Sequence, residues 1–418
     1  MSALGRTERL VIAGVAVFTV LAGIGHYAGW GSIVAFVFAT IALAGLAHVV
    51  SVGVEGVGEL LGPGIAGFMQ ATLGNLPELF LVVFALRQGE AIVAQSTVIG
   101  SIFSNALLVL GIVIVVGARK APDGVMRFRH RLPNDTATLL IATTFIIVIV
   151  GLSLQTHDPA SSHVDTVSTI AAIGLLVVYL FWVVPYIRSG EEPGDEGLAA
   201  GDTTHRADAA PADNGAPIVA RAEPRAGALE ERERGSVAVA EAQRVLMGAQ
   251  AAGTEDHDDA EAPRHIPLRV GILLLAAGGV GAAFVSDWFV SALAPTVDQL
   301  GISRAFAGLV IAAIAGNAVE NITAVILAAK GQANLAVSVV KNSVGQMAAF
   351  MWPALVLISL PLASKLTFSL HPVYIGALLV TALAMWQITG DGEAVAFEGF
   401  ALIAIYLTLA GITLYETV

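Results

Sequence analysis

Apolar runs long enough to cross a membrane set the pattern of this chain. A helix needs about 20 apolar residues to span roughly 30 Å of hydrocarbon. Eleven stretches meet that requirement, near 10–29, 32–54, 64–86, 92–117, 137–155, 166–187, 268–294, 305–329, 333–360, 371–389 and 394–415. The first is longer than a secretory apolar core and lacks a small-residue cleavage site, so it reads as a retained helix. Residues 190–265 interrupt the pattern with Ala, Gly, Pro and acids and almost no aromatic or β-branched side chains. Such a segment buries too little apolar surface to offset the entropy of ordering it, so it reads as a largely disordered linker, with a short helix over 229–249. The expected fold is an all-α polytopic membrane protein of about eleven transmembrane helices.

Composition agrees once the charges are located. The chain is 56% hydrophobic, 13% charged and carries a net charge of −12. The linker holds 17 acids and 7 bases, hence −10 of that total, and the other 342 residues carry only 30 charges. A soluble enzyme with a conventional charged surface is excluded. Nucleic-acid binding is excluded too, for want of a basic face to neutralise phosphates. The absence of cysteine removes disulfides, thiolate metal sites and thiol nucleophiles. Neither a zinc-protease His-Glu-x-x-His nor a P-loop is present. Arg6 and Arg9 precede the first stretch, and Arg119, Lys120, Arg127, Arg129 and Arg131 crowd the loop 118–133, whereas the loop 156–165 has no Lys or Arg. The positive-inside rule then puts the N-terminus, the basic loop and the linker in the cytoplasm and the C-terminus outside.

Within the apolar stretches a motif recurs. Gly74-Asn75-Leu76-Pro77-Glu78 is answered 242 residues later by Gly316-Asn317-Ala318-Val319-Glu320. The offset holds for Gly89 and Gly331, Ala91 and Ala333, Ser96 and Ser338, and Ser101 and Ser343. The copies lie in the third and eighth stretches, five apart and so an odd number, and the halves are expected to insert with opposite topology, as in many secondary transporters.

A carboxylate at the bilayer centre costs at least about 2.5–3.5 kcal/mol, so Glu78 and Glu320 need a compensating partner, and a bound cation is one. The plainer alternative is a pair of protonated structural acids. Gly74 and Pro77, and Gly316 in the second copy, weaken their helices and free backbone carbonyls. Ca²⁺ takes six to eight oxygens. The two glutamates, such carbonyls, the amides of Asn75 and Asn317, and water meet that number. Ser101, Ser104, Asn105, Ser343 and Gln346 lie on the helices that follow and return to similar depth, where they either ligate or bond helix to helix. Glu55 and Glu59 either attract cations at the cytoplasmic mouth or are solvated at the interface. Asp287 is an accessory candidate, Lys341 is expected to pair with an acid or reach the interface, and His48 is expected to be packed. The cluster Glu255, Asp256, His257, Asp258, Asp259 and Glu261 lacks EF-hand spacing and reads as solvated linker.

These residues also carry a family resemblance. Val54-Glu55 through Glu59-Leu60-Leu61-Gly62, and Gly67 through Glu78-Leu79, resemble the first signature of the Ca²⁺/H⁺ antiporters, the cation–proton exchangers of the Ca²⁺/cation antiporter superfamily. Gly308-Leu309-Val310 through Gly316-Asn317-Ala318-Val319-Glu320 to Thr323-Ala324-Val325 resembles the second. Gly100 through Asn105 with Leu107–Gly111, Ser343 and Gln346 with Phe350 and Pro353, and Glu398-Gly399 with Tyr406 are similar to other family positions.

The resemblance implies one extra N-terminal helix (1–31), two inverted five-helix repeats (32–189 and 267–418) joined by the acidic linker (190–266), and cation binding at Glu78 and Glu320. It implies Ca²⁺ as transported substrate, H⁺ as coupling ion and no organic cofactor, in a bacterial plasma membrane, with other divalent cations such as Mn²⁺ within range. Asn321 stands where the family has histidine, Asn342 where it has a small glycine, and Pro77 is similar to the Na⁺/Ca²⁺ branch. The expectation is export of Ca²⁺ against inward protons. The alternatives are a Na⁺-coupled exchanger on the same scaffold, a passive cation channel, and a Ca²⁺ sensor acting through the linker.

Overall fold

The computed structural model describes residues 5–61, 69–70, 72–128, 131–189 and 266–416, with the backbone alone at 6–7, 59–61, 131–136 and 185–189. The acidic segment 190–265, its expected helix and its acidic cluster lie outside the described residues, as does the side chain of Glu59.

Twelve longer helices, a one-turn helix at Pro159–His163 and two short strands are present among the described residues. In the first half they are α1 (Arg6–Tyr27), α2 (Ser32–Leu61), α3 (Leu76–Arg87), α4 (Ala91–Lys120), β1 (Val125–Arg127), α5 (Arg131–Gln155) and α6 (Val164–Ser189). The second half opens with α7 (Leu268–Leu300), α8 (Arg304–Gly316) and α9 (Ala318–Ala329). Next, α10 runs as Ala333–Gln346, a π turn at Met347–Met351, and Trp352–Ser359. The chain ends in α11 (Pro372–Thr389), β2 (Glu393–Val395) and α12 (Ala396–Leu414).

Eight of these helices are long and apolar enough to cross a membrane, and α8 with α9, bent by 63°, makes a ninth. Two of the eleven expected spans are absent from that count. The third stretch falls partly outside the described residues, and α10 carries Lys341, Asn342, Ser343 and Gln346 along one continuous helix. Large apolar side chains point outward from the bundle, among them Leu10, Phe145, Phe181, Leu273 and Phe397. In water such a surface would aggregate; against lipid tails it is the stable outer face.

The repeat is visible in local backbone. After α3, Gly89 takes φ +82°, with its N–H on the Leu86 carbonyl and the Glu90 N–H on that of Ala85. After α9, Gly331 takes φ +78°, with its N–H on the Ala328 carbonyl and the Gln332 N–H on that of Leu327. Glycine is required at both because an L side chain is strained there. Gly89 adjoins the first residue of α4, whereas the Gly331 position lies 3.9 Å from the side chain of Lys120, the last. At 1.5 Å per residue those points are about 45 Å apart, so the two matching turns sit at opposite ends of one helix.

Loops gather at two ends. At one, Glu90 pairs with Arg304 (3.0 Å), Asp165 with Lys365 (2.6 Å), and Tyr27 meets Trp288 edge-on. At the other, β1 pairs antiparallel with β2 in the register Val125 with Val395, Met126 with Ala394 and Arg127 with Glu393. Arg127 bridges Asp123 (2.6 Å) and Glu393 (3.1 Å) there. The guanidinium holds the Asp123 carboxyl below the usual carboxylate range. The pair is therefore intact above that range and weakens as pH falls through the lowered value.

Close helix crossings fix the centre. A Cβ on Gly100 of α4 would lie 2.4–2.8 Å from the backbone of Leu309 in α8, and one on Gly308 would strike Ser96. Small residues permit such backbone contact. Gly100→Leu should therefore lower stability by about 3 kcal/mol, the upper end for overpacking. Thermal unfolding of the purified variant checks this; an unchanged midpoint would refute the crossing.

Candidate cation site

Each Gly-Asn pair ends one helical segment and starts another. Asn75 caps α3 at φ −91°, ψ 13°, and Asn317 caps α9 at φ −103°, ψ 13°. Counting from those caps, Glu78 and Glu320 both occupy the third helical position. There the unpaired N–H groups and the positive end of the helix dipole favour a carboxylate. Pro77 sits in the same first turn, where its missing N–H costs nothing, so it begins α3 rather than kinking a longer helix. The expectation of a weakened helix at Gly74 and Gly316 is met by breaks at Gly74–Asn75 and Asn317. A Cβ on Gly74 would collide with the Gln70 carbonyl; the Gly316 position packs 3.6 Å from Glu78.

The two halves meet at Glu78, which is 1% exposed. Its Oε1 accepts a hydrogen bond from the Ser101 hydroxyl, and its Oε2 lies 3.4 Å from the Asn317 amide nitrogen. That nitrogen also donates to Ser101 Oγ and to the Ala313 carbonyl, both at 3.0 Å. Glu320 is half-buried, acts electrostatically on Glu78, and has Ser343 as the hydroxyl bearing on its carboxylate. The Asn105 amide donates to Ser343 Oγ at 3.0 Å, joining α4 to α10. Two oxygens here are enclosed with no donor among the described residues: Asn317 Oδ1 and Glu320 Oε2. Buried acceptors without donors are costly in a folded protein unless something else satisfies them. Oxygens of this kind suit a hard cation such as Ca²⁺.

Both candidate ligand helices change pitch directly beyond these residues. The π turn Ser104–Val109 in α4 and the π turn Met347–Met351 in α10 overlap at the 242-residue offset and end at equivalent residues. Such turns are frequent at functional sites.

Of the sequence candidates, Glu78, Asn317, Gly316, Ser101, Glu320, Ser343 and Asn105 are brought together by these contacts. Asn75 is buried at the α3 cap, Ser104 is buried at the start of the π turn, and Gln346 is half-buried beside the second one. Asp287 lies elsewhere. Its carboxylate accepts from Gln88 at 3.0 Å, ten residues and about 15 Å along α3 from Glu78. Glu55 is also remote, on the part of α2 where Gly53 and Gly56 face Leu275 and Gly271. That is about 17 Å along α7 from Ser286, whose hydroxyl reaches the Pro77 carbonyl. Among the described residues Lys341 pairs with no acid, and its burial keeps it from the surface. It is fully buried and donates to Thr389 Oγ1 at 2.6 Å, where the last turn of α11 favours a cation. Ser286 escaped the sequence reading; its one signal was a hydroxyl beside Asp287 in an apolar stretch.

A model of the sodium/calcium exchanger protein family matches residues 31–185 and 270–415, most of the described chain. The protein belongs to that family. A Ca(2+)/H(+) antiporter of Synechocystis is 27% identical over 410 residues, 97% of each chain, and the Ca(2+)/H(+) antiporter ChaA of Bacillus subtilis is 26% identical over 403 residues, 96% of each. The solved structure of native YfkE superposes with a TM-score of 0.69 at 23% identity, covering 97% of this chain and 100% of that one, which establishes a shared fold. With that membership the exposed apolar helices are those of an integral membrane protein.

Ser101→Ala strips the donor from Glu78 and an acceptor from Asn317, and should cost about 1–3 kcal/mol. Asp287→Asn keeps the Gln88 contact and should stay within about 0.5 kcal/mol. Thermal melting of both variants tests the pair; equal shifts would contradict the placement of Asp287 outside the site.

Proposed function

We propose that this protein is a secondary antiporter that exports Ca²⁺ from the cytoplasm in exchange for H⁺, with Glu78 and Glu320 binding Ca²⁺ and protons in alternation. The observation that carries the reading is the junction of the two signature motifs: two carboxylates that act on one another inside the bundle, with Glu320 Oε2 and Asn317 Oδ1 lacking a donor among the described residues. The names of the Synechocystis and Bacillus relatives support Ca²⁺ and H⁺ as the exchanged ions. The opposed turns at Gly89 and Gly331 support two inverted five-helix repeats behind one extra N-terminal helix, eleven spans in all.

Coupling follows from electrostatics. Two ionised carboxylates neutralise one Ca²⁺, and two protons neutralise the same pair when the cation has left. Either loaded state presents a nearly uncharged site to the low-dielectric interior. The empty, doubly ionised state suffers like-charge repulsion and desolvation, so an unloaded carrier seldom reorients. Ser101, Ser343, Asn317 and Asn75 complete the oxygen shell, with Gly74 and Gly316 keeping the helix breaks open beside it. Ser104, Asn105 and Gln346 belong to the surrounding wall. Glu55 serves the cytoplasmic approach, on the end of the bundle that bears the basic loop.

In proteoliposomes, an imposed pH gradient should drive ⁴⁵Ca²⁺ uphill, and Glu78→Gln or Glu320→Gln should abolish that flux. A sodium gradient at fixed pH should drive none. Flux driven by sodium alone would instead favour the Na⁺-coupled reading, and flux that only runs downhill would favour a channel.

A further inference from the structure

The two halves of the site are matched in sequence but not in hydrogen bonding. Both oxygens of Glu78 face donors: the Ser101 hydroxyl on Oε1 and the Asn317 amide on Oε2. At Glu320, Oε2 is enclosed and no described residue donates to it. One contact between the halves is also unmatched in the repeat. Asn105, which bonds Ser343, has Met347 as its equivalent at the 242-residue offset, and a thioether donates no hydrogen. Ser343 is therefore held from the opposite half by Asn105. Ser101, lacking that contact, is held by Asn317, whose amide nitrogen also faces Glu78.

We propose that the carboxylates act in order: Glu320 takes the incoming Ca²⁺ first, and Glu78 closes on it second, once the Asn317 amide has turned. The inference rests on the cation-exchange reading above and adds a division of labour to it. A cation reaching Glu320 Oε2 displaces no hydrogen bond. A cation reaching Glu78 first would meet the hydrogens of an N–H and an O–H group, which repel it and must be moved. The Asn317 nitrogen has two hydrogens and three acceptors around it, and its contact to Glu78 is the longest of the three, at 3.4 Å against 3.0 Å. It is thus the contact that gives way most easily. Rotation of the amide would bring Asn317 Oδ1, now without a donor, toward the cation. Asn105 is a positioning residue in this scheme: its amide donates to Ser343 Oγ and so holds the hydroxyl that bears on Glu320.

Stopped-flow Ca²⁺ association and dissociation with the full chain in lipid nanodiscs separate the outcomes. Wild type should bind saturably. Glu78→Gln should keep the association rate within about threefold and speed dissociation about tenfold, while Glu320→Gln should slow association at least about tenfold. Glu78→Asp and Glu320→Asp, which retain the charge, should rank in the same order if a glutamine variant does not fold. Equal slowing of association in the two variants, or the reverse order, would overturn the sequence of events while leaving exchange intact. A wild-type protein that binds no Ca²⁺ would instead overturn the exchange reading itself.

Discussion

Two carboxylates near enough to act on one another inside a bundle of apolar helices are the constraint to which the rest of the structure answers. Neither charge is stable in isolation at that depth, and together they repel. Every local feature around them lessens that cost. Asn75 and Asn317 break their helices one turn ahead, so that each acid sits at a helix start with unpaired N–H groups nearby. Ser101, Asn317 and Ser343 supply polar contacts, and Gly316 leaves room for Glu78 to approach the opposite half. What polar residues of the protein leave unmet, namely the donor-less oxygens, is the share that a cation can meet.

That arrangement requires two halves of one chain to cross at close range, and the packing serves this need. Gly100 and Gly308 let α4 and α8 touch through backbone, which brings Ser101 of one half against Asn317 of the other. At the rim, β1 and β2 tie the loop after α4 to the loop before α12. The exposed Arg127 bridges there contribute little by themselves, since solvent screens them. Their value is in register: Met126 packs against Gly117, and α4 is fixed at the end remote from Gly89.

Much of this was legible along the chain because burial in lipid makes polarity conspicuous. A glutamate in a run such as Asn75–Arg87 stands out against apolar neighbours, and a second at a fixed offset identifies the pair. The broken helices followed from Gly74 and Gly316, although Pro77 starts a helix instead of bending one. The chain reads 333–360 as a span, whereas α10 is missing from the helices apolar enough to cross, because Lys341, Asn342, Ser343 and Gln346 lower its hydropathy. Lys341 itself escapes such a reading, since a hydroxyl on α11, 48 residues away, receives its ammonium.

Sequence alone therefore determined a chain of many long apolar stretches, the motif repeated at 242 residues and which two acids stand out in it, because each depends on spacing or on polarity relative to near neighbours. Only the tertiary structure decided which groups the acids touch. Asn317 reaches Glu78, its counterpart's acid, and Asn105 reaches Ser343, across separations of 239 and 238 residues. Asp287, as polar as any candidate, is carried about 15 Å away to Gln88. A hydrogen bond is settled by a few tenths of an ångström and by direction, and those are set by how helices cross, which no local spacing in the chain records.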